Sequence, residues 1–486
     1  MKKIISVLLS IIIVFSSAAV ITQAENETEK YSQYPAVVVR GMQFEGLTVN
    51  EGTENGQNAF AGVTAGGIIK TIGKTLAGSF KHGLSRAFAD AAAEYCGQIM
   101  GKMACDENGD SKYDVTVKQY FGSVAEEPEL QKLLEVSDSH EEAIVSALVD
   151  SYGAENVYYF TYDWRLDPRK TADELNKMIE LAESETGKDK VNLINCSMGG
   201  VVTDAYIYKY GDSDFNKLVF YSSTFCGTDE ATQLLAGELL TSPDTLYNIL
   251  VRLFGNNFFT KLFKNSLLLK NISKITNSFF QKEGVYFYSV FLKDTFGTMP
   301  SIWANVQPGS VETCIDFLFP TEEDREKYSG IIEKARQLRE INIYMKNTGF
   351  KKLESDNVQV AVVAGYNTSA VPVYPKAAYQ SDGILDSRWM LGGATVSKLG
   401  YSFDDDYMSA DPSKISPDRC IDLSDVYFPE STWAIRDSGH VPCKKNSDEY
   451  EFIKFLMTGE NGATVDDDSR FPQFMTADKE GNLNAQ

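Results

Sequence analysis

The sequence predicts an α/β chain built on a doubly wound, mostly parallel sheet, and three observations carry that prediction. Apolar runs of strand length alternate with segments of helical spacing in the two outer portions of the chain. One such run, Val191 to Asn195, breaks sharply into Cys196-Ser197-Met198-Gly199-Gly200. A long stretch, about 228–345, separates the two portions and cannot belong to a minimal sheet.

The chain opens with Lys2-Lys3, an almost entirely apolar or small run from Ile4 to Ile21, and a small-x-small site at Thr22-Gln23-Ala24. Residues 1–24 therefore read as a secretory signal peptide, and the expected location is secreted, extracellular or in the cell envelope. The apolar run is slightly long, so an uncleaved N-terminal anchor is the other outcome. Pro35 to Met42 is an apolar strand ending in Gly41, and residues 35–227 form the first part of the core, with an insertion at 50–150. Inside the insertion, Ile69, Ile72, Leu76, Phe80, Leu84 and Phe88 recur at steps of three and four, which predicts one amphipathic helix. Such a helix packs on the protein itself or lies at a lipid interface. Asp106 to Asp114 imitates the start of a calcium loop, but Ser111 replaces the glycine and Val117 the glutamate, so no metal is expected there.

Val157 to Tyr162 reads as a strand, and Thr171 to Glu185 as a helix with Leu175, Met178, Ile179 and Ala182 on one side. A helix from Met198 and a strand over Lys217 to Thr224 follow, the order a right-handed doubly wound sheet produces. Residues 228–345 are rich in Phe and Leu with interspersed lysines, as in Phe258-Phe259-Thr260-Lys261-Leu262-Phe263-Lys264. They are expected to form a helical cap or lid, which lines an apolar acyl cleft or packs only on itself. Residues 346–460 complete the core, with a buried strand over Val358 to Gly365. The acidic stretch 461–486, with Asp466-Asp467-Asp468 and few apolar residues, is expected to be a disordered tail.

The break at 195–200 has the form of a nucleophile elbow, in which a tight turn lifts a serine hydroxyl above the sheet edge. Ser197 needs a general base, and the chain has three histidines: His82, His140 and His440. Only His440 follows both the elbow and a plausible acid, the Ser381-Asp382-Gly383 turn beyond the 358–365 strand. Asp382 is the first candidate for that acid and Asp386 the second. The serine–acid–histidine order is that of the α/β-hydrolase fold. Backbone N–H groups of Met198, after the nucleophile, and of Met42 or Gln43, after Gly41, are positioned by sequence to form an oxyanion hole.

Composition excludes other classes. The net charge of −22 becomes −24 without residues 1–24, which carry two lysines and no acids. Nucleic acid is excluded as a partner, because phosphate binding needs clustered cations, and charge alone does not favour anionic membranes. Seven cysteines, at 96, 105, 196, 226, 314, 420 and 443, are sparse. Cys420 with Cys443 and Cys96 with Cys105 could form bridges in an exported chain, or all could remain thiols. Oligomeric state is not legible.

Tyr162-Asp163-Trp164-Arg165, about thirty residues before the elbow, resembles the Tyr-Asp-Trp-Arg motif of lecithin:cholesterol acyltransferase-like proteins. The likeness extends to the 35–41 strand, the Ser-Met-Gly-Gly elbow, Met299-Pro300-Ser301-Ile302-Trp303, the Asp382-Gly383 turn and the late histidine. It implies an α/β-hydrolase with a lid, of the bacterial exported lipase or acyltransferase type. It also implies hydrolysis or transfer of acyl esters through an acyl-serine, without metal or organic cofactor. Carried over by motif, Ser197 is the nucleophile, Asp382 the acid, His440 the base, and Met198 and Met42 the oxyanion donors. The implied partner is an acyl-ester or lipid substrate, met through transient contact with a lipid interface. Asn195 stands where a glycine is usual, and Arg40 where proline or histidine is. These departures motivate a second reading, a non-catalytic surface or binding protein on the same scaffold.

Overall fold

The computed structural model describes residues 34–238 and 288–486 apart from 45, 54–55, 63, 372–374 and 460–461, with residues 267, 270, 271, 274 and 286 between them. The signal peptide and the Phe258–Lys264 segment lie outside the described residues.

The first strand, β1 (Ala36–Val39), is fully buried and feeds a small antiparallel sheet of β2 (Leu47–Val49), β3 (Gln57–Asn58) and β4 (Val115–Val117). Between β3 and β4 stands a helical hairpin, α1 (Ala65–His82) and α2 (Leu84–Met100). The periodicity that predicted one helix over 69–88 is broken at Gly83, whose φ of +80° ends α1 and turns the chain back. Then come α3 (His140–Tyr152), β5 (Val157–Phe160), α4 (Pro168–Thr186), β6 (Val191–Cys196), α5 (Gly199–Tyr210) and β7 (Phe215–Tyr221). Asp167 caps α4 by accepting the Arg169 N–H, Pro168 opens it, and Gly187 in the left-handed region closes it.

Beyond the cap come β8 (Gln359–Tyr366), the antiparallel pair β9 (Thr395–Val396) and β10 (Ile421–Asp422), then β11 (Thr432–Arg436), β12 (Phe474–Ala477) and β13 (Leu483–Ala485). The main sheet runs β13-β12-β11-β8-β7-β6-β1-β5, and all its pairs are parallel except β12 with β13. With helices around this eight-stranded sheet, the architecture is the α/β-hydrolase fold. The chain leaves β1 for β5 on one side and returns to β6 on the other, so the crevice opens at the carboxyl ends of β1 and β6.

Among the described residues, 228–345 is helical at Asp229–Leu235, Pro300–Ala304, Val311–Leu318, Glu322–Lys327 and Ser329–Tyr344. Trp303 is fully buried and its indole N–H donates to the Gly297 carbonyl at 2.9 Å. These helices share one hydrophobic core with the sheet.

The tail is a correction. Residues 462–486 fold, because their few apolar residues fall where the sheet can take them: Phe471 and Met475 are buried, and β12 pairs in parallel with β11. The acidic run is absorbed locally, with Asp467 accepting the Thr464 N–H at 2.7 Å and Asp468 pairing Arg470 at 2.7 Å. The calcium-loop imitation is an Asx turn: the Asp106 carboxylate accepts the N–H groups of Asn108 and Asp110, and Asp110 pairs with Lys170 and Lys334. All seven cysteines are unpaired thiols, so neither the 96–105 nor the 420–443 bridge forms.

Candidate active site

Three loops at the carboxyl ends of β6, β8 and β11 converge. Ser197 follows β6 with φ of +50°, a left-handed conformation that costs a non-glycine residue about 1–3 kcal/mol and is held here by its surroundings. Its carbonyl accepts the N–H groups of Gly200 and Thr224, both at 3.2 Å. The paired glycines are steric requirements. A Cβ at Gly199 would lie 2.8 Å from the Val39 carbonyl oxygen, and one at Gly200 would lie 2.5 Å from that of Thr224. Gly41 is under the same constraint, because its Cβ would meet the Ser197 Cβ at 2.7 Å. The end of β1 can reach the serine only without a side chain.

The Ser197 hydroxyl lies 2.8 Å from His440 Nε2, and His440 Nδ1 lies 2.6 Å from Asp382 Oδ2. Asp382 is 2% exposed, and its other oxygen accepts the N–H groups of Ile384 and Leu385, both at 2.9 Å. That geometry settles which of the two aspartates faces the imidazole. Asp386 instead caps the short helix Ser387–Met390, and burial pushes its carboxyl up to about 6. Burial works against protonating His440, but the Asp382 carboxylate, by charge and hydrogen bond, and the charge of Glu141 outweigh it. Together they hold the imidazole above its ordinary range.

The other histidines stand elsewhere. His82 ends α1. His140 opens α3, donates its Nδ1–H to the Val441 carbonyl at 3.0 Å and its backbone N–H to that of Cys443 at 2.7 Å, and so braces the loop that carries His440.

Met198 is the N-cap residue of α5, where backbone N–H groups lack helical partners, and it is buried. Met42 follows Gly41 and is 36% exposed. The loop carrying Met42 and Gln43 is shaped by the Tyr162–Arg165 motif: the Trp164 indole donates to the Gln43 carbonyl at 3.0 Å and its ring meets Phe44 edge-on. Arg165, fully buried, is forked onto Asp163 and also donates to the Met103 carbonyl at 2.8 Å. The motif is thus a clamp behind the loop that follows β1.

Asn195 is accommodated by a partner. It is fully buried, and its Oδ1 lies 2.5 Å from the Ser223 hydroxyl, which also lies 2.9 Å from the Ser197 carbonyl. Two functional positions escaped sequence reasoning. Gly365, at the end of β8, admits the histidine loop: a Cβ there would meet the Ser438 carbonyl oxygen at 2.4 Å and the Asp382 Cβ at 3.1 Å. The glycine closing the 358–365 run was the available signal. Glu141, whose Oε1 would lie 3.2 Å from a Cβ at Gly41, had none, since helix-opening glutamates are ordinary.

Residues 137–361 match the family model described as lecithin:cholesterol acyltransferase. No curated protein matches the chain. The matched span holds the Tyr-Asp-Trp-Arg clamp and the elbow, and it excludes the α1–α2 hairpin. It supports an enzyme of acyl-transfer or lipase type that acts on lipid esters. Over those residues the chain is similar to the lecithin:cholesterol acyltransferase family, on an α/β-hydrolase fold.

Proposed function

We propose that this protein is an exported serine esterase, lipase or O-acyltransferase that works through an acyl-serine intermediate. The observation that carries the reading is the continuous path from Asp382 through His440 to a strained, outward-turned Ser197. Ser197 Oγ attacks the ester carbonyl while His440 Nε2 takes its proton, and the carbonyl oxygen becomes an oxyanion facing the Met198 and Met42 amides. Collapse breaks the bond to the leaving alcohol, which takes the proton back from His440. Water or a second alcohol, deprotonated by the same imidazole, then attacks the acyl-serine and releases acid or new ester. Asp382 fixes the tautomer with Nε2 free to accept. The Phe- and Leu-rich sequence of 228–345 supports a reading in which the cap supplies acyl-chain contacts.

A fluorophosphonate probe tests this directly, because it labels only an activated serine. The parent is expected to label and to turn over simple nitrophenyl esters. Ser197→Ala is expected to lose both, with a fall in turnover on the order of a millionfold. Labelling that persists in Ser197→Ala would assign the nucleophile elsewhere. A folded parent that never labels would favour the non-catalytic scaffold.

A further inference from the structure

A second gathering of titratable groups lies beside the loop that carries His440. A cavity of about 200 Å³ opens between three segments: Asp437-Ser438-Gly439, which runs directly into His440, the start of the helix Asp448–Thr458, and the turn between β12 and β13. Glu449 of that helix lines the cavity and is 2% exposed, yet its carboxyl has no hydrogen-bond partner or ion pair among the described residues. Gly481 leaves room for it, since a Cβ there would meet Glu449 Oε2 at 2.8 Å. A buried carboxyl without a partner is rare, because it gives up its water for nothing. Burial, helped by the charge of Asp478 and opposed by that of Lys444, pushes Glu449 up to about 8. At neutral pH it is therefore held as the acid, with an O–H to donate.

The groups left unspent around this cavity are all of one kind. Its aspartates are used. Asp437 accepts from the Asn367 amide at 2.7 Å and lies 3.6 Å from Arg436. Asp478 accepts the N–H groups of Glu480 and Asn482 at 2.9 Å and the Asn482 amide at 2.8 Å. Its cations are not used: Lys444 and Lys479 are exposed, and neither meets a carboxylate among the described residues. That is a notable vacancy in a chain with 68 acids against 46 lysines and arginines. The backbone N–H groups of Ser438 and Gly439 also have no partner among the described residues, although Ser438 is buried. Successive free amides favour an anion. Two ammonium groups, an acid O–H and two amides are all donors, so the complementary ligand is an acceptor with several oxygens. The cavity is smaller than the roughly 300–1,000 Å³ usual for drug-sized ligands, which suits a phosphate group better than an acyl chain.

We propose that this cavity is a binding site for a small phosphate-type oxyanion, free or as the end of a phosphomonoester, held by Lys444, Lys479, the Ser438 and Gly439 amides and the Glu449 carboxyl. The same amides lead into His440, so a bound anion also fixes the entry to that loop. The site stands apart from the acyl-serine chemistry and does not depend on it.

Calorimetric titration of the full chain with inorganic phosphate, and separately with glycerol 3-phosphate, tests this against sodium chloride of equal ionic strength. Phosphate is expected to bind at one site with a Kd on the order of 1 mM or tighter, and chloride is expected to give no signal. Lys444→Gln/Lys479→Gln is expected to weaken binding at least about tenfold, because two charge-assisted bonds are lost. Glu449→Gln is expected to bind within about threefold of the parent, because an amide N–H takes the place of the acid O–H. The lysine variant should melt within about 2 °C of the parent in phosphate-free buffer, which reports that it is folded. Ser197→Ala should bind phosphate like the parent, so failure of this site and failure of the serine chemistry read out separately. Tighter binding of glycerol 3-phosphate than of phosphate assigns the site to a phosphomonoester, and the reverse assigns it to the free anion. Absence of phosphate binding, or a lysine variant that binds like the parent, overturns the proposal. So does methylammonium that binds where phosphate does not, since that makes Glu449 the counter-ion of a cation.

Discussion

The carboxyl edge of the main sheet and the α1–α2 hairpin are built on opposite plans. At the edge, the acid of the triad is buried and fully partnered: Asp382 has three close donors around its carboxylate, and glycines 41, 199, 200 and 365 stand where backbones nearly touch. On α1, small and polar residues face inward, and the large apolar ones are left in water. The edge functions by being complete before substrate arrives, which is what preorganised catalysis requires. Among the described residues, the hairpin leaves Ile69, Ile72 and Leu76 exposed.

The contrast is broken most forcefully at the acid. Asp382→Asn should lower kcat about 10⁴-fold, because the amide holds the wrong tautomer of His440. Asp386→Asn, four residues on, keeps a good cap and should leave kcat within about tenfold. Nitrophenyl ester kinetics on the two variants decide it. Comparable losses in both would mean that the loop as a whole, and not the Asp382–His440 bond, carries the effect.

Gly41→Ala comes next. The added methyl would overlap the Ser197 Cβ at 2.7 Å, so either β1 or the serine must move. A displacement of that size at a reacting atom should cost about 10²-fold in kcat/KM. The rate of fluorophosphonate labelling should fall in parallel, and a variant labelled at the parental rate would show that the elbow yields without consequence.

Much of this edge was legible in the chain. Local rules place Ser197, Gly199 and Gly200 together, and having only three histidines singled out His440. The buried strands β1, β5, β6, β7 and β8 were visible as apolar runs, within one to three residues of their observed ends. What was not legible depends on contacts distant in sequence. His140 is bound to the His440 loop across about three hundred residues, and Glu141 stands beside Gly41 only because α3 starts beside β1. Strands β12 and β13 are short, and their pairing is what stabilises them, so composition alone suggested a loose acidic tail. The hairpin failed differently. Its period of three and four was real, but Gly83 reverses the chain and turns the stripe outward.

Glu141 sharpens the comparison at the edge itself, being a carboxylate beside His440 that has no place in the triad. Its negative charge favours the imidazolium form of His440, whose proton affinity is already raised. Because the base must be neutral to act, the acidic limb of the kcat/KM profile should lie above the ordinary imidazole value of about 6.5. Removing the charge in Glu141→Gln lowers that affinity, so the limb should move to lower pH. The plateau should not fall, since a carboxylate near a developing oxyanion repels it. A limb that stays fixed while the plateau drops would make Glu141 a structural brace.

The smallest expected effect lies on the hairpin, at the glycine that mirrors Gly41. Gly73 lies within α1, and a Cβ added there meets nothing within 4 Å. Where Gly41 is required by a close approach, Gly73 only loosens the helix, so Gly73→Ala should stabilise α1 by about 0.8–1 kcal/mol. Native-state hydrogen exchange should show it as roughly fivefold slower exchange of the α1 amides, with the sheet amides unchanged. Turnover of a soluble ester should not change. The new methyl stands between Ile72 and Leu76 in sequence and on the exposed side, so the α1–α2 contact should be undisturbed. Exchange of the α1 amides that stays at the parental rate would mean that the glycine does not loosen the helix and that α1 is held by its packing on α2 alone.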